Sequence, residues 1–142
     1  MPKVFGLPVD VFAKQKPLPH SIVIGFATNI DRQYDPKLYN RLDNIYKSYD
    51  HAFQINVDDI TKPHAGLYTC SAKDAEIIVK AIQRYRRHNI YVHCNAGVSR
   101  TGSVIKYILK YYPQFELASR QFQYSKNSLI TKRLNEARKQ II

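Results

Sequence analysis

The stretch that most constrains what this chain can fold into is residues 90–102, which read IYVHCNAGVSRTG. It begins as an apolar run of strand-forming residues, passes through small residues just after Cys94, and reaches Arg100 where a helix is expected to start. A strand, a tight loop and a helix in this order are parts of an α/β unit. The stretch therefore predicts a buried strand whose carboxyl end presents a loop to the start of a helix.

This loop is suited to bind a phosphate. Peptide N–H groups from Cys94 to Arg100 can form an anion-binding nest, and the positive end of the next helix dipole points to the same place. The guanidinium of Arg100 can hold two phosphoryl oxygens at once, which a lysine cannot do. The same positive field favours the thiolate of Cys94 over its thiol, so Cys94 is expected to be a nucleophile at neutral pH.

These residues resemble the active-site signature of the cysteine-dependent protein tyrosine phosphatase superfamily: His-Cys, five residues, then Arg followed by Ser or Thr. The loop is similar to that of the small dual-specificity branch in particular. An accidental match of His, Cys, Gly and Arg at these offsets is expected about once in ten thousand chains of this length. The resemblance implies that the substrate phosphate is bound by Asn95, Ala96, Gly97, Val98, Ser99 and Arg100.

The resemblance also implies supporting roles around the loop. Thr101 would donate its hydroxyl to the sulfur of Cys94, with helix capping as the competing interpretation. His93 would order the loop from behind through side-chain hydrogen bonds, and Ser99 would bond its own backbone. Gly97 is expected to be required because a Cβ there would block the phosphate or strain the loop.

Phosphate ester cleavage also needs an acid that protonates the leaving oxygen. Asp58 and Asp59 follow a strand predicted over residues 53–57 and open a loop, residues 60–69, that could close over the site. The family similarly carries its acid on a mobile loop before the cysteine. Asp59 is preferred because it comes where the chain turns away from the strand, and Asp58 is the alternative. Either aspartate could instead simply cap the turn.

The remaining pattern predicts an α/β fold with a central, mostly parallel sheet flanked by helices and a phosphate-binding loop between a strand and a helix. Residues 1–20 hold four prolines and predict short strand, turn and loop, and a strand is expected at residues 21–26. Helices are expected after Pro36, from Ser71 to an end formed by Arg84, Arg86 and Arg87, from near Thr101 up to Pro113, near residues 114–124 and at the C-terminus. The helix from Ser71 should bury Ala75, Ile78, Val79, Ile82 and Tyr85. The helix from near Thr101 should bury Val104, Ile105, Ile108 and Leu109. The C-terminal helix should bury Ile130, Leu134, Ala137 and Ile141.

Composition fits one domain over residues 1–142, since 44% apolar residues can form one core. No run is long enough to cross a bilayer and the start lacks a secretory signal, so a cytoplasmic location is expected. Two cysteines argue against a disulfide scaffold, and Cys70 is expected to be an ordinary semi-buried thiol or a redox partner of Cys94. The net charge of +11 favours acidic or polyanionic partners, or else reflects solvated helix faces.

These features predict a phosphomonoesterase with a covalent intermediate. Cys94 would attack phosphorus, Arg100 and the loop amides would hold the transition-state charge, and Asp59 would act as acid and then as base. No metal or organic cofactor is needed, and His93 has no second metal-ligating residue at a recognised interval.

Three functions are consistent with the sequence. The chain has no Trp and so lacks the Trp-Pro-Asp loop of larger tyrosine-specific members, which favours a phosphorylated protein carrying phosphotyrosine, alone or with phosphoserine and phosphothreonine. The same loop occurs in RNA 5′-triphosphatases, so an RNA 5′ end is a second candidate that the positive charge would suit. A non-catalytic phosphate-binding module is the third, although inactive relatives typically lose the Cys or the Arg that this chain keeps.

Overall fold

The structure is a computed structural model that describes residues 1–142, and its centre is a five-stranded sheet in which all strands are parallel. The strands are β1 (Lys3–Pro8), β2 (Ser21–Phe26), β3 (His51–Ile55), β4 (Asn89–Cys94) and β5 (Glu116–Leu117). The helices are α1 (Val9–Ala13), α2 (Asn29–Tyr34), α3 (Pro36–Asn40), α4 (Leu42–Tyr46), α5 (Ala72–Arg84), α6 (Arg100–Tyr111) and α7 (Ser128–Ile141). The predicted α/β class with a parallel sheet flanked by helices is confirmed.

The strand order β3-β2-β4-β1-β5 places β4 in the middle of the sheet. Its last residue, Cys94, lies beside Pro8 of β1, and His93 lies beside Gly25 of β2. Because all strands run the same way, the loops after β1, β2, β3 and β4 leave from one edge of the sheet. Ligands of open α/β sheets bind at this edge.

Alternate residues of the central strands feed two separate cores, one on each face of the sheet. Ile22, Ile24, Ile90 and Val92 pack with residues of α5, α6 and α7. Val23 and Tyr91 point to the other face and pack with residues of α1, α3 and α4. Strand β4 is therefore buried on both sides, which gives the segment that ends in Cys94 a fixed position.

The long helices agree with their sequence signals. Ser71 caps α5 in a capping box with Asp74, and the predicted stripe Ala75, Ile78, Val79, Ile82 and Tyr85 is buried. Helix α6 ends at Tyr111, just before Pro113. The predicted inward residues of α6 and α7 are buried, except Leu109 and Ile141, which are partly buried.

Several other predictions were wrong in detail. Residues 114–124 do not form a helix: Glu116–Leu117 is an edge strand that pairs with Lys3 and Val4, because the sheet offers that segment backbone partners that a local pattern does not show. Strand β3 covers His51–Ile55 and ends two residues before the predicted boundary. Within residues 1–20, the turn after β1 is the short helix α1, whose Val9 and Phe12 are buried. Helix α2 was not predicted.

None of the helices combines the length and the apolar character needed to span a membrane. The longest, α7, has 14 residues, whereas a span needs about 20.

Candidate functional site

The loop between β4 and α6 is shaped by Gly97. Its φ of 71° lies in the left-handed region, and a Cβ at this position would collide with the backbone of Leu7 and Pro8 at the end of β1. The requirement for glycine thus comes from backbone conformation and from close packing against the sheet. The amide N–H of Gly97 donates to the sulfur of Cys94 at 3.2 Å, and this bond is stronger when the sulfur is a thiolate.

The same loop holds polar groups that find no partner within the chain. The amide N–H groups of Ala96, Val98 and Ser99 make no backbone hydrogen bond. Arg100 Nε and Thr101 Oγ1 are buried and have no hydrogen-bond partner. The predicted bond from Thr101 to the sulfur of Cys94 is not formed, and neither is the alternative cap. A buried donor left unpaired costs about 1–3 kcal/mol, so Arg100 Nε and Thr101 Oγ1 mark the start of α6 as a place for an acceptor, next to the three free loop amides.

Arg100 is held by a residue that the sequence did not single out. Asp31 of α2 accepts from both ends of the guanidinium, at 2.7 Å from NH1 and 2.8 Å from NH2, and Val57 O accepts a further bond from NH1 at 3.0 Å. Burial alone would lower the pKa of Arg100, but the hydrogen bonds to Asp31 raise it above its usual value. The arginine is therefore a fixed cation, buried beside Cys94.

The two candidate acids lie in different surroundings. Asp58 is buried: Thr28 Oγ1 donates to its Oδ1 at 2.5 Å and the amide of Tyr68 donates to its Oδ2 at 2.8 Å. The amide of Asp58 in turn donates to the carbonyl of Tyr68, so this residue ties together the two ends of the loop of residues 58–68. Asp58 is thus a structural clasp, which corresponds to the turn-capping alternative.

Asp59 is exposed and turned towards the phosphate-binding loop. Ser99 Oγ donates to Asp59 Oδ1 at 3.0 Å, which corrects the prediction that Ser99 bonds its own backbone. Asn127 Nδ2 donates to the same oxygen at 2.9 Å. The structure therefore brings Asp59 to the loop that carries Cys94. Of its two hydrogen-bond donors, Ser99 was predicted to be in the site and Asn127 was not.

His93 lies behind Cys94 and is completely buried. Its Nε2 is 2.7 Å from the hydroxyl of Tyr46, and its ring stacks on Phe12 with 4.4 Å between centroids. Burial, followed by the positive charge of Arg100, lowers its pKa to about 3, so the imidazole is neutral at neutral pH. A Cβ on Gly25 would collide with the ring of His93 and with the hydroxyl of Tyr46.

The predicted hydrogen bonds from His93 to the loop are absent, since its Nδ1 has no partner. The loop is tied from the other side instead, where the hydroxyl of Tyr39 donates to Asn95 Oδ1 at 3.1 Å.

Cys94, Arg100 and both candidate acids line one cleft of about 360 Å³ at the carboxyl edge of the sheet, whereas the predicted site residues His93, Gly97 and Thr101 do not reach it. Its floor is made by the loop, and its walls by α2 and by the segment after β3. The lining residues are Ile30, Asp31, Tyr34, Asp58, Asp59, Ile60, Leu67, Cys94, Asn95, Ala96, Val98, Ser99 and Arg100. Arg100 is the one cation among them. A smaller cleft of about 190 Å³ between α5 and α7 contains none of these groups.

Comparisons with known proteins add no family to this geometry: no protein-family model matches the sequence, and no curated protein is significantly similar to it. Any functional assignment therefore depends on the residues of the cleft and on the chemistry open to them.

The second cysteine is not part of the cleft. Cys70 is buried, and burial together with the nearby charge of Asp74 raises its pKa to about 12, so its thiol stays protonated and unreactive at neutral pH. Both Cys70 and Cys94 are free thiols. No three His, Cys, Asp or Glu side chains are grouped so that they could hold a metal ion.

Proposed function

We propose that this protein is a cysteine-dependent phosphatase, similar to small dual-specificity phosphatases, that hydrolyses phosphotyrosine in proteins, alone or with phosphoserine and phosphothreonine. The observation that carries the proposal is the set of unpaired donors around Cys94: Arg100 Nε, Thr101 Oγ1 and the amides of Ala96, Val98 and Ser99. Thr101 does not line the cleft, but a phosphate dianion has acceptor oxygens for Arg100 Nε and the three amides. Bound to these donors, its phosphorus would lie next to the sulfur of Cys94.

The position of Arg100 fits this role. A guanidinium has five N–H groups, and Asp31 with Val57 takes three of them. Nε–H and one N–H of NH2 remain, and together they form one edge of the planar group. That edge can bind two phosphoryl oxygens side by side while Asp31 holds the adjacent edge, formed by NH1 and NH2, in place.

In the first step, the thiolate of Cys94 attacks phosphorus, and an S–P bond forms as the bond to the leaving oxygen breaks. Asp59 gives its proton to that oxygen, while Arg100 and the loop amides stabilise the charge on the equatorial oxygens. In the second step, water attacks the cysteinyl phosphate and Asp59 takes the proton of that water. The S–P bond breaks, which releases phosphate and restores the thiolate of Cys94.

The walls of the cleft favour a phosphoprotein over an RNA 5′ end. The apolar side chains of Ile30, Tyr34 and Val98 are exposed at its rim, where they can contact an aromatic or aliphatic leaving group. A triphosphate needs several cations, but the lining offers Arg100 alone and three aspartates. The positive charge of the chain therefore lies largely outside this cleft.

The proposal is tested by turnover of three substrates side by side: a phosphotyrosine peptide, a phosphothreonine peptide and a triphosphorylated RNA. The wild type should hydrolyse the phosphotyrosine peptide fastest. Cys94→Ser should abolish turnover yet still bind tungstate, because a serine hydroxyl stays protonated while the remaining donors are intact.

Substantial turnover by Cys94→Ser, with contamination excluded, would remove Cys94 from its role. A wild type that prefers the RNA would be an RNA 5′-triphosphatase. A wild type that binds tungstate and hydrolyses none of the three substrates would be a phosphate-binding module.

A further inference from the structure

Asn127 joins the start of α7 to the segment after β3 that carries the candidate acid Asp59. Its side chain is almost fully buried and uses both ends of its amide. Oδ1 accepts from the amides of Leu129 and Ile130, each at 3.1 Å, and so caps α7. Nδ2 donates to Asp59 Oδ1 at 2.9 Å and to the carbonyl of Ile60 at 3.1 Å. Because the helix amides fix which end is the acceptor, the donor end must face Asp59.

The backbone of Asn127 is fixed as well. Its amide donates to Ser103 Oγ at 2.7 Å, and Ser103 lies on α6, the helix that begins at Arg100. The donor is therefore anchored to the same element that carries the phosphate-binding arginine. Its position relative to Cys94 is set by buried contacts and not by the exposed loop that it holds.

The two donors to Asp59 reach the same oxygen. Ser99 Oγ and Asn127 Nδ2 both bond Oδ1, which leaves Oδ2 free of any protein donor. A proton on Asp59 is then favoured on Oδ2, because a protonated Oδ1 could not accept both bonds as well. The two contacts thus decide which oxygen of the carboxyl group can exchange a proton.

We propose that Asn127 is a positioning residue for proton transfer: it holds Asp59 over the cleft with Oδ2 as the proton-carrying oxygen. This inference rests on the proposed function for its catalytic part. Oδ2 gives its proton to the leaving oxygen as the P–O bond breaks, and it takes a proton from water as the S–P bond breaks. Asn127 touches neither the substrate nor the phosphorus and acts through Asp59.

Asn127→Asp separates this role from helix capping. Aspartate caps a helix as well as asparagine does, and its charge suits the helix N-terminus. It has no donor for Asp59, however, and it places a second carboxylate beside the first. Ser71→Ala is the control for a loss of helix capping alone, since it removes the side-chain cap of α5 and lies away from the cleft.

The first readout is the dependence of kcat on the leaving group. On a phosphotyrosine peptide, Asn127→Asp should lower kcat about 10- to 100-fold, less than the 10²- to 10⁴-fold worth of a positioned general acid. On an aryl phosphate with a strongly acidic phenol, which needs little protonation, the loss should be under about threefold. Ser71→Ala should keep the wild-type ratio of the two substrates. Equal losses on both substrates, or no loss on either, would overturn the positioning role.

The second readout does not need activity. Hydrogen exchange at the amides of Ile60 and Leu67, which are bonded within the acid loop, should speed up at least tenfold in Asn127→Asp, while exchange within α7 stays as in the wild type. If the wild type hydrolyses no phosphomonoester, the proposed function fails, and the exchange result still decides whether Asn127 holds the loop. Unchanged exchange at Ile60 and Leu67 would refute that part as well.

Discussion

The two walls of the cleft are built in opposite ways. On the α2 side, Thr28, Asp31 and Arg100 are buried, and Asp31 accepts from the backbone amide of Thr28 and from the guanidinium of Arg100 at 2.9 Å or less. On the other side, none of residues 59–69 is buried, and the segment is tied to the body of the protein chiefly through the clasp at Asp58 and the bonds made by Asp59 and Ile60. Segments with few buried contacts open locally at low free-energy cost.

This difference fits the separate roles that we propose for Arg100 in phosphate binding and for Asp59 in proton transfer. A cation that must bind a dianion is most effective where it is fixed beforehand and shielded from water. A proton donor must approach the leaving group and then allow product to leave, which suits a segment that can open. We call the buried side formed by Thr28, Asp31 and Arg100 the fixed wall, and residues 59–69 the mobile wall. Mutations in the fixed wall should therefore weaken both substrate binding and the chemical step, and mutations in the mobile wall should mainly slow proton transfer.

The largest expected effect concerns the fixed wall. Arg100→Lys should lower kcat/KM for a phosphotyrosine peptide by about 10³- to 10⁵-fold, the range known for arginines that stabilise a phosphoryl transition state. One ammonium cannot hold Asp31 and two phosphoryl oxygens at the same time. Steady-state kinetics check this, with Arg84→Lys on the exposed end of α5 as control. A lysine variant that keeps a tenth of the activity would mean that the two-edged geometry of Arg100 is not used.

The second effect separates the neighbouring aspartates on the mobile wall. Asp59→Asn should lower kcat on a phosphotyrosine peptide by about 10²- to 10⁴-fold and should matter far less for an aryl phosphate with an acidic phenol. Asp58→Asn should instead destabilise the fold by about 1–3 kcal/mol, because one of the buried bonds to Thr28 and Tyr68 loses its acceptor. Kinetics on both substrates and urea unfolding of both variants check this. A leaving-group-dependent loss in Asp58→Asn would transfer the role of acid to Asp58.

The parts that sequence reasoning placed correctly have local causes. The capping box of Ser71, the apolar stripe of α5 and the proline after α6 each act within a few residues, so their effects can be read from the chain alone. The pattern of the loop after Cys94 is local as well, since its glycine and arginine lie close together in sequence, but phosphate binding by that loop stays a prediction. The preference for Asp59 over Asp58 as the acid also came from a local signal, the end of the strand alternation. The structure places Asp59 beside Ser99 and bonds Asp58 to Tyr68, and the choice of acid stays a prediction.

The missed features depend on contacts between distant residues. Asp31 and Arg100 are 69 residues apart, and Asp59 and Asn127 are 68 apart. Asp31 also completes a capping box with Thr28, a pattern that could have revealed α2 but not the bond to Arg100. Asn127 likewise has the form of an ordinary N-cap. The edge strand β5 has two residues, too few for any alternation to be visible, and it exists because β1 offers it partners.

A weaker effect is expected on the stability of the buried side at low pH. His93 belongs to the buried body of the site, and its pKa of about 3 lies below the value of about 6.5 expected when the chain is unfolded. Between these values the unfolded chain binds a proton that the folded protein does not, so the free energy of unfolding should fall as the pH drops below about 6.5. The slope from this one group is about 1.4 kcal/mol per pH unit, or about 2 kcal/mol between pH 6.5 and pH 5. Urea unfolding at several pH values measures it, and His93→Gln should flatten the slope over that range. If His93→Gln keeps the wild-type slope, the loss of stability at low pH comes from other groups and not from burial of neutral His93 behind Cys94.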